Sequence, residues 1–127
     1  MNDELEHIPQ ELLEEHLELS ERLVELQKKE ELQTNFLQFV KSMWSDFIEN
    51  EHHRIMARAF DRIATGELKR LIINMPPRHT KSEFASYLFP AYLVGKNPGL
   101  KIIQATHTAD LAVRFGRKIR DLVDTKD

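Results

Sequence analysis

The chain has 127 residues, 41% hydrophobic and 31% charged, with a formal net charge of −3 and no cysteine. That length holds one compact domain or part of a larger one, and the missing cysteines exclude disulfides and thiolate metal sites. No apolar run approaches the roughly 18 residues of a membrane span, and an amino terminus acidic from Asp3 argues against a secretory signal or an Arg-rich transit peptide.

A reducing cytoplasm is the simplest setting for such a chain. The net charge conceals an asymmetry. Residues 1–33 carry 11 acidic and three basic side chains, a net of −8, while residues 34–127 carry 10 acidic and 15 basic, a net of +5. An acidic arm on a mildly basic body is the organisation to explain.

The arm, residues 1–33, reads as an amphipathic helix beginning near Pro9, since proline suits a first helical position. Leucines recur every seventh residue at Leu5, Leu12, Leu19 and Leu26. The intervening positions Glu15, Arg22 and Lys29 are charged, so this is no full coiled-coil seam. Leu13, Leu17, Leu23 and Val24 widen the stripe instead. Three readings stand: a helix packed on its own domain, a docking helix for a partner protein, or a mobile arm.

A second helix is expected from Phe36 to Ile48. Its apolar residues Phe36, Leu37, Phe39, Val40, Met43, Trp44, Phe47 and Ile48 have helical spacing and read as core. A third runs from about Glu51 to Ala64, with Ile55, Met56, Ala59, Phe60 and Ile63 on one face and Gly66 where the helix terminates. The pattern changes at Leu71. Leu71-Ile72-Ile73-Asn74-Met75, bounded by Pro76-Pro77, has the look of a buried strand.

A helix from about Lys81 to Val94 follows, kinked or shortened by Pro90 and stopped at Gly95-Lys96-Asn97-Pro98-Gly99. Lys101-Ile102-Ile103-Gln104-Ala105 reads as a second buried strand, and a last helix spans Ala109 to Val123. The order predicts an α/β fold: N-terminal helices, then the first βαβα unit of a parallel sheet. Two strands fall short of the roughly four to six usual in such sheets, so the unit is expected to be incomplete.

Between the first strand and its helix lies MPPRHTKSE. A phosphate loop needs backbone N–H groups aimed into a concavity, a helix amino terminus beneath it and a lysine for the outer phosphates. A following Ser or Thr supplies an oxygen to magnesium. Lys81 and Ser82 stand at those positions. The usual glycine positions hold Met75 and Thr80, although glycine serves there by allowing close approach and positive φ. The alternative is a structural turn with Lys81 solvated. Against it, Arg78, His79 and Lys81 crowd a helix amino terminus, where cations are unfavourable by a few tenths to about 1 kcal/mol.

The stretch LKRLIINMPPRHTKSEFASYLFPAYLVGKNPGLKIIQATHTADLAVRFGRKIRDLVDT resembles the amino-terminal ATPase region of the large terminase subunits of tailed bacteriophages, motors that package DNA into procapsids. The resemblance covers about residues 34–127 and is sharpest at MPPRHTKSE and ATHTADLAVRFGRKIR. Terminases carry a deviant phosphate loop of the P-loop NTPases in which an arginine precedes the Lys-Ser/Thr pair, and Arg78 matches it. Many relatives have glycine where Thr80 stands.

The resemblance implies ATP and Mg2+ as cofactors. Lys81 would contact the β and γ phosphates, Ser82 would ligate magnesium, and Arg78 would add charge at the phosphates or in the transition state. Pro77, His79 and Thr80 would contribute mainly loop backbone. In the family an adenine-contacting segment lies upstream, at the place of Glu51-His52-His53-Arg54, which puts His52 and His53 on the adenine side. The complete protein would work as a homo-oligomeric ring on double-stranded viral DNA, with the portal and the small terminase subunit as partners. Its place would be the cytoplasm of the infected bacterium, transiently at the procapsid portal.

Other features are less directed. Adjacent His52 and His53 do not face one metal from successive helix positions. His107 and Thr108 stand at the expected carboxyl edge of the sheet, but Thr106 or Thr108 equally suits the N-cap of the last helix. Arg114, Arg117, Lys118 and Arg120 form either a solvated helix face or a surface for a neighbouring subunit's ATP or for DNA.

An ATPase also needs an apolar strand ending in Asp, usually followed by Glu, and none stands between Leu71 and Asp127. Asp121, Asp124 and Asp127 lie on or after a helix and do not replace it, and no acidic nuclease domain is present. The chain therefore reads as a truncated terminase or a short product, expected not to turn over ATP alone. A different class also fits: a non-catalytic module whose acidic helix docks a partner and whose basic body contacts phosphate or DNA.

Overall fold

A computed structural model describes residues 8–125. The chain divides into two compact units, Met1–Glu31 and Leu32–Asp127. Among the described residues, helix α1 runs Gln10–Thr34, and the Pro9 carbonyl accepts the N–H groups of Leu12 and Leu13 in its first turn. No residue of α1 is buried, and Leu12, Leu13, Leu17, Leu19, Leu23, Val24 and Leu26 are all exposed. Leu5, the first of the spaced leucines, lies outside the described residues, as does Asp127. No helix among the described residues is long and apolar enough to cross a membrane.

The second unit is built around Phe36. Asn35 starts α2 (Phe36–Met43) by accepting the Gln38 N–H on its side-chain oxygen at 3.1 Å. The Phe36 N–H, orphaned in that first turn, donates to Asp61 Oδ1 at 2.9 Å, which ties α2 to α3 (Glu51–Ala64). The Phe36 ring is fully buried and meets Phe60, Phe84, Phe89 and Tyr92 edge-on, at centroid distances of 5.3 to 5.5 Å. Burying one such ring contributes about 1.5–3 kcal/mol, and each edge-on pair adds about 0.5–1.5 kcal/mol. Val40, Met56, Ala57 and Leu88 complete the core.

The second helix is shorter than its spacing predicts. It ends at Met43, where Trp44 turns extended, and the chain doubles back through a Phe47 N–H to Trp44 carbonyl bond of 3.2 Å. Trp44 and Phe47 pack on the core as expected, whereas Met43 and Ile48 are exposed. On α3, Met56 and Phe60 are buried as expected but Ile55 is exposed. Gly66 follows at φ +80°, the left-handed conformation that closes a helix at little cost only for glycine.

The α/β expectation is overturned: among the described residues every regular element is helical and no strand is present. The parallel sheet and its βαβα unit do not form. Residues 71–75 and 101–105 form no regular element, and neither run exchanges backbone–backbone hydrogen bonds with the other or with any described residue. Apolar β-branched composition makes a segment fit for a sheet, but pairing makes the strand.

Nor are the two runs buried. Leu71, Ile73 and Met75 pack against the core while Ile72 is 85% exposed, and Ile103 is 96% exposed. The first run is a one-sided cover on the helices, with period two.

Helical winding resumes at Lys81 and continues to Lys96. Its Glu83–Leu88 stretch is π-helical, with the Phe89 N–H reaching back to the Phe84 carbonyl, and α4 (Phe89–Lys96) carries Pro90 in its first turn. Proline has no N–H to give the turn before it. The Ser86 carbonyl accepts instead from Gln104 Nε2 at 2.9 Å, which ties the second apolar run to this helix. The wide turn immediately before Pro90 is where the helix accommodates it. Helix α5 (Ala109–Val123) begins as expected, with Thr108 Oγ1 accepting the Leu111 N–H at 3.3 Å.

Candidate phosphate-binding site

Met75 to Glu83 line a hollow of about 410 Å³, within the size range of small-ligand sites. Met75, before the two prolines, and Lys81 to Glu83, where the helix opens, both line it. Lys81 Nζ folds back to the Met75 carbonyl at 3.5 Å, closing the loop on itself. The N–H groups of Thr80, Lys81 and Ser82 find no acceptor among the described residues, as is usual in a helix's first turn. The helical ladder starts with the Phe84 N–H donating to the Thr80 carbonyl at 2.9 Å.

The loop holds the backbone form that glycine usually supplies. Arg78 lies at φ +65° and Thr80 at φ +60°. For a β-branched residue this region is strained by about 1–2 kcal/mol. The structure therefore places Thr80 in the conformation for which the sequence offered no glycine. Its support comes from α3: His53 Nε2 lies 2.7 Å from Thr80 Oγ1, and Thr80 Oγ1 donates to the His79 carbonyl at 2.6 Å.

The electrostatics are one-sided. Arg78, His79 and Ser82 are exposed, and neither Arg78 nor Lys81 has a carboxylate partner among the described residues. The nearest acid in sequence, Glu83, is engaged by Lys118 of α5 at 2.9 Å, and that ammonium also lies 4.6 Å above the Tyr87 ring. Two cations without carboxylate partners, and three residues whose N–H groups have no acceptor among the described residues, thus line a hollow whose neighbouring carboxylate is already paired. This donor set fits a phosphate group, and the exposed Ser82 hydroxyl beside it fits a magnesium ligand.

His52 and His53, expected on an adenine side, have separate surroundings. His53 is 3% exposed; its Nδ1 accepts the Asn50 N–H at 3.0 Å and its Nε2 meets Thr80, so both ring nitrogens are occupied by protein. Burial, then the charges of His52 and His79, hold its pKa below the ordinary imidazole value against the opposing pull of Glu49. His52 is half-buried, 5.7 Å from the His79 ring, and borders an apolar groove of about 280 Å³ with Ile55, Met56, Ala59 and Leu71–Met75. No group of three or more His, Asp or Glu among the described residues is placed to hold a metal.

With no sheet formed, His107 is an exposed residue ahead of α5, and Thr108 serves as the helix cap. Arg120 pairs with Asp121 at 2.6 Å, while Arg114 and Arg117 stay exposed. Sequence reasoning missed two members of the loop's support. Lys118 was grouped with its helix neighbours, and the His53–Thr80 contact spans 27 positions that no local pattern connects.

No protein-family model, curated protein or solved structure matches the chain.

Proposed function

We propose that the loop of residues 77–82 binds the phosphates of a nucleoside triphosphate with magnesium, and that the chain is the ATP-binding portion of a terminase-like DNA-packaging motor. One observation carries the phosphate reading: Arg78 and Lys81, without carboxylate partners among the described residues, line one hollow with Thr80 and Ser82 at the opening of a helix whose first N–H groups have no acceptor among those residues. In this reading Lys81 leaves the Met75 carbonyl to meet the outer phosphates, Arg78 adds charge beside them, and Ser82 holds magnesium. His79 and Thr80 shape the backbone. His52, beside the apolar groove, is the histidine of the pair with room to meet a base.

The motor assignment rests on the sequence resemblance and on this loop, not on a sheet. With it come ATP hydrolysis in the complete protein, a ring of copies on double-stranded DNA at a procapsid portal, and the small terminase subunit as partner. The setting would be the infected bacterial cytoplasm.

Calorimetric titration of MgATP into the chain and its Lys81→Ala variant tests the core of the proposal. Micromolar-range binding that drops at least tenfold in the variant is the expected result. An unbound wild type, or a variant equal to it, defeats the proposal.

A second reading has its own observation. Helix α1 exposes seven leucine and valine side chains along 25 residues and buries none, which suits an arm that docks a partner. Salt-sensitive DNA binding without MgATP binding would favour this module over the motor.

A further inference from the structure

The proton positions around Thr80 follow from one fixed donor. The Asn50 backbone N–H points at His53 Nδ1, 3.0 Å away, so that nitrogen presents its lone pair. The neutral ring then carries its proton on Nε2, where it is donated to Thr80 Oγ1 at 2.7 Å. The Thr80 hydroxyl, having accepted, gives its own proton to the His79 carbonyl at 2.6 Å. Each donor has one acceptor and the chain runs in one direction, from the start of α3 into the loop.

Its end point matters. In a planar trans peptide the carbonyl and the N–H point oppositely, so holding the His79 carbonyl on the His53 side directs the Thr80 N–H away from it. The same chain secures φ +60° at a residue that would otherwise leave that region. The ring is fixed independently, packed 4.8 Å from Phe47 and 5.3 Å from Phe84 between ring centroids.

We propose that His53 is a positioning residue for the loop: as the neutral Nε2–H tautomer it holds the Thr80 hydroxyl, and through it the His79–Thr80 peptide, in the form that receives phosphate. The phosphate part rests on the function proposed above; the holding part stands on the ligand-free loop. Protonation would place a second donor on Nδ1, opposite the Asn50 N–H, and break the chain at its origin. The groups around that ring are His52 on its own helix, Glu49 and Asp46 in the preceding link, and Arg78 and His79 in the loop.

The test compares two substitutions on the full chain. His53→Asn keeps an acceptor for the Asn50 N–H but has no atom at the Nε2 position. His53→Gln reaches Thr80 with an amide N–H. Nitrogen-15 NMR of the ligand-free wild type at neutral pH is expected to find Nε2 protonated and Nδ1 bare. MgATP affinity is expected to fall about tenfold in His53→Asn, the scale of one lost hydrogen bond, and to return to within about threefold in His53→Gln.

Thr80→Val, which keeps the shape and loses the hydroxyl, should weaken binding as His53→Asn does, and the double variant should be no worse than either. Wild-type affinity should also decline as pH falls below the ordinary imidazole range, more steeply than in His53→Gln, which retains His52 and His79. A proton on Nδ1, equal binding in His53→Asn and wild type, or additive losses in the double variant would overturn the proposal. If the wild type binds no MgATP, the nucleotide reading fails by itself. The holding role is then decided by whether Thr80 and Lys81 amide shifts move in His53→Asn and are restored in His53→Gln.

Discussion

Lys118 Nζ sits 2.9 and 3.1 Å from the two carboxylate oxygens of Glu83, 35 positions away, and so joins α5 to the residue immediately after Lys81-Ser82. Both side chains are 38% exposed, and partly exposed pairs of this kind contribute at most about 1 kcal/mol to stability. The pair matters more for charge, because it removes a free carboxylate from the rim of a cationic hollow.

Replacing Lys118 with Met should therefore separate stability from binding. Urea denaturation is expected to shift by less than about 1 kcal/mol. MgATP affinity should fall roughly fivefold at low salt, about 1 kcal/mol of charge repulsion near a surface, and the loss should shrink in high salt. Affinity unchanged at low salt would remove Glu83 from the electrostatics of the site.

The apolar run ending in Ala105 gives a test of the all-helical architecture. Ile103 is 96% exposed, so Ile103→Lys should alter stability by no more than about 0.5 kcal/mol, as for other surface substitutions. A buried strand position would lose several kcal/mol from an unpaired internal charge. A melting curve distinguishes the two, and a large loss would count against the exposed placement.

Tyr92 supplies a pH test of the core. Its Oη donates to the Gln33 carbonyl at 2.9 Å, and burial, with the Asp61 charge behind it, pushes its pKa up to about 12. An unfolded tyrosine ionises near 10, so between about pH 10 and 12 the unfolded chain has already lost a proton that the folded one keeps. Stability falls with rising pH in that window. Tyr92→Phe should cost about 0.5–1.5 kcal/mol at neutral pH, and the gap to wild type should narrow at pH 11. A gap that stays constant or widens there would contradict the buried, hydrogen-bonded phenol.

Much of the helical layout was legible because helices are local. The Glu51–Ala64 spacing, the Gly66 stop and the Thr108 cap are all set within one or two turns, and the structure has them. The phosphate-loop candidate was legible for the same reason: Lys81 and Ser82 must follow a turn and open a helix, and they do. The strands were not legible. Leu71–Met75 and Lys101–Ala105 have strand composition, but a strand requires a partner at distant positions, and none is present among the described residues.

The sequence by itself determined which residues stand at the helix opening, because Arg78, Lys81 and Ser82 are fixed there by a proline stop and a helical run. Only the tertiary structure decided how the loop is held. Thr80 takes φ +60° against its own preference, and the group that bonds it lies on α3, 27 positions away. Local steric terms are written residue by residue along the chain. A hydrogen bond across the fold exists only once the aromatic core around Phe36 has brought α3 and the loop within reach of each other.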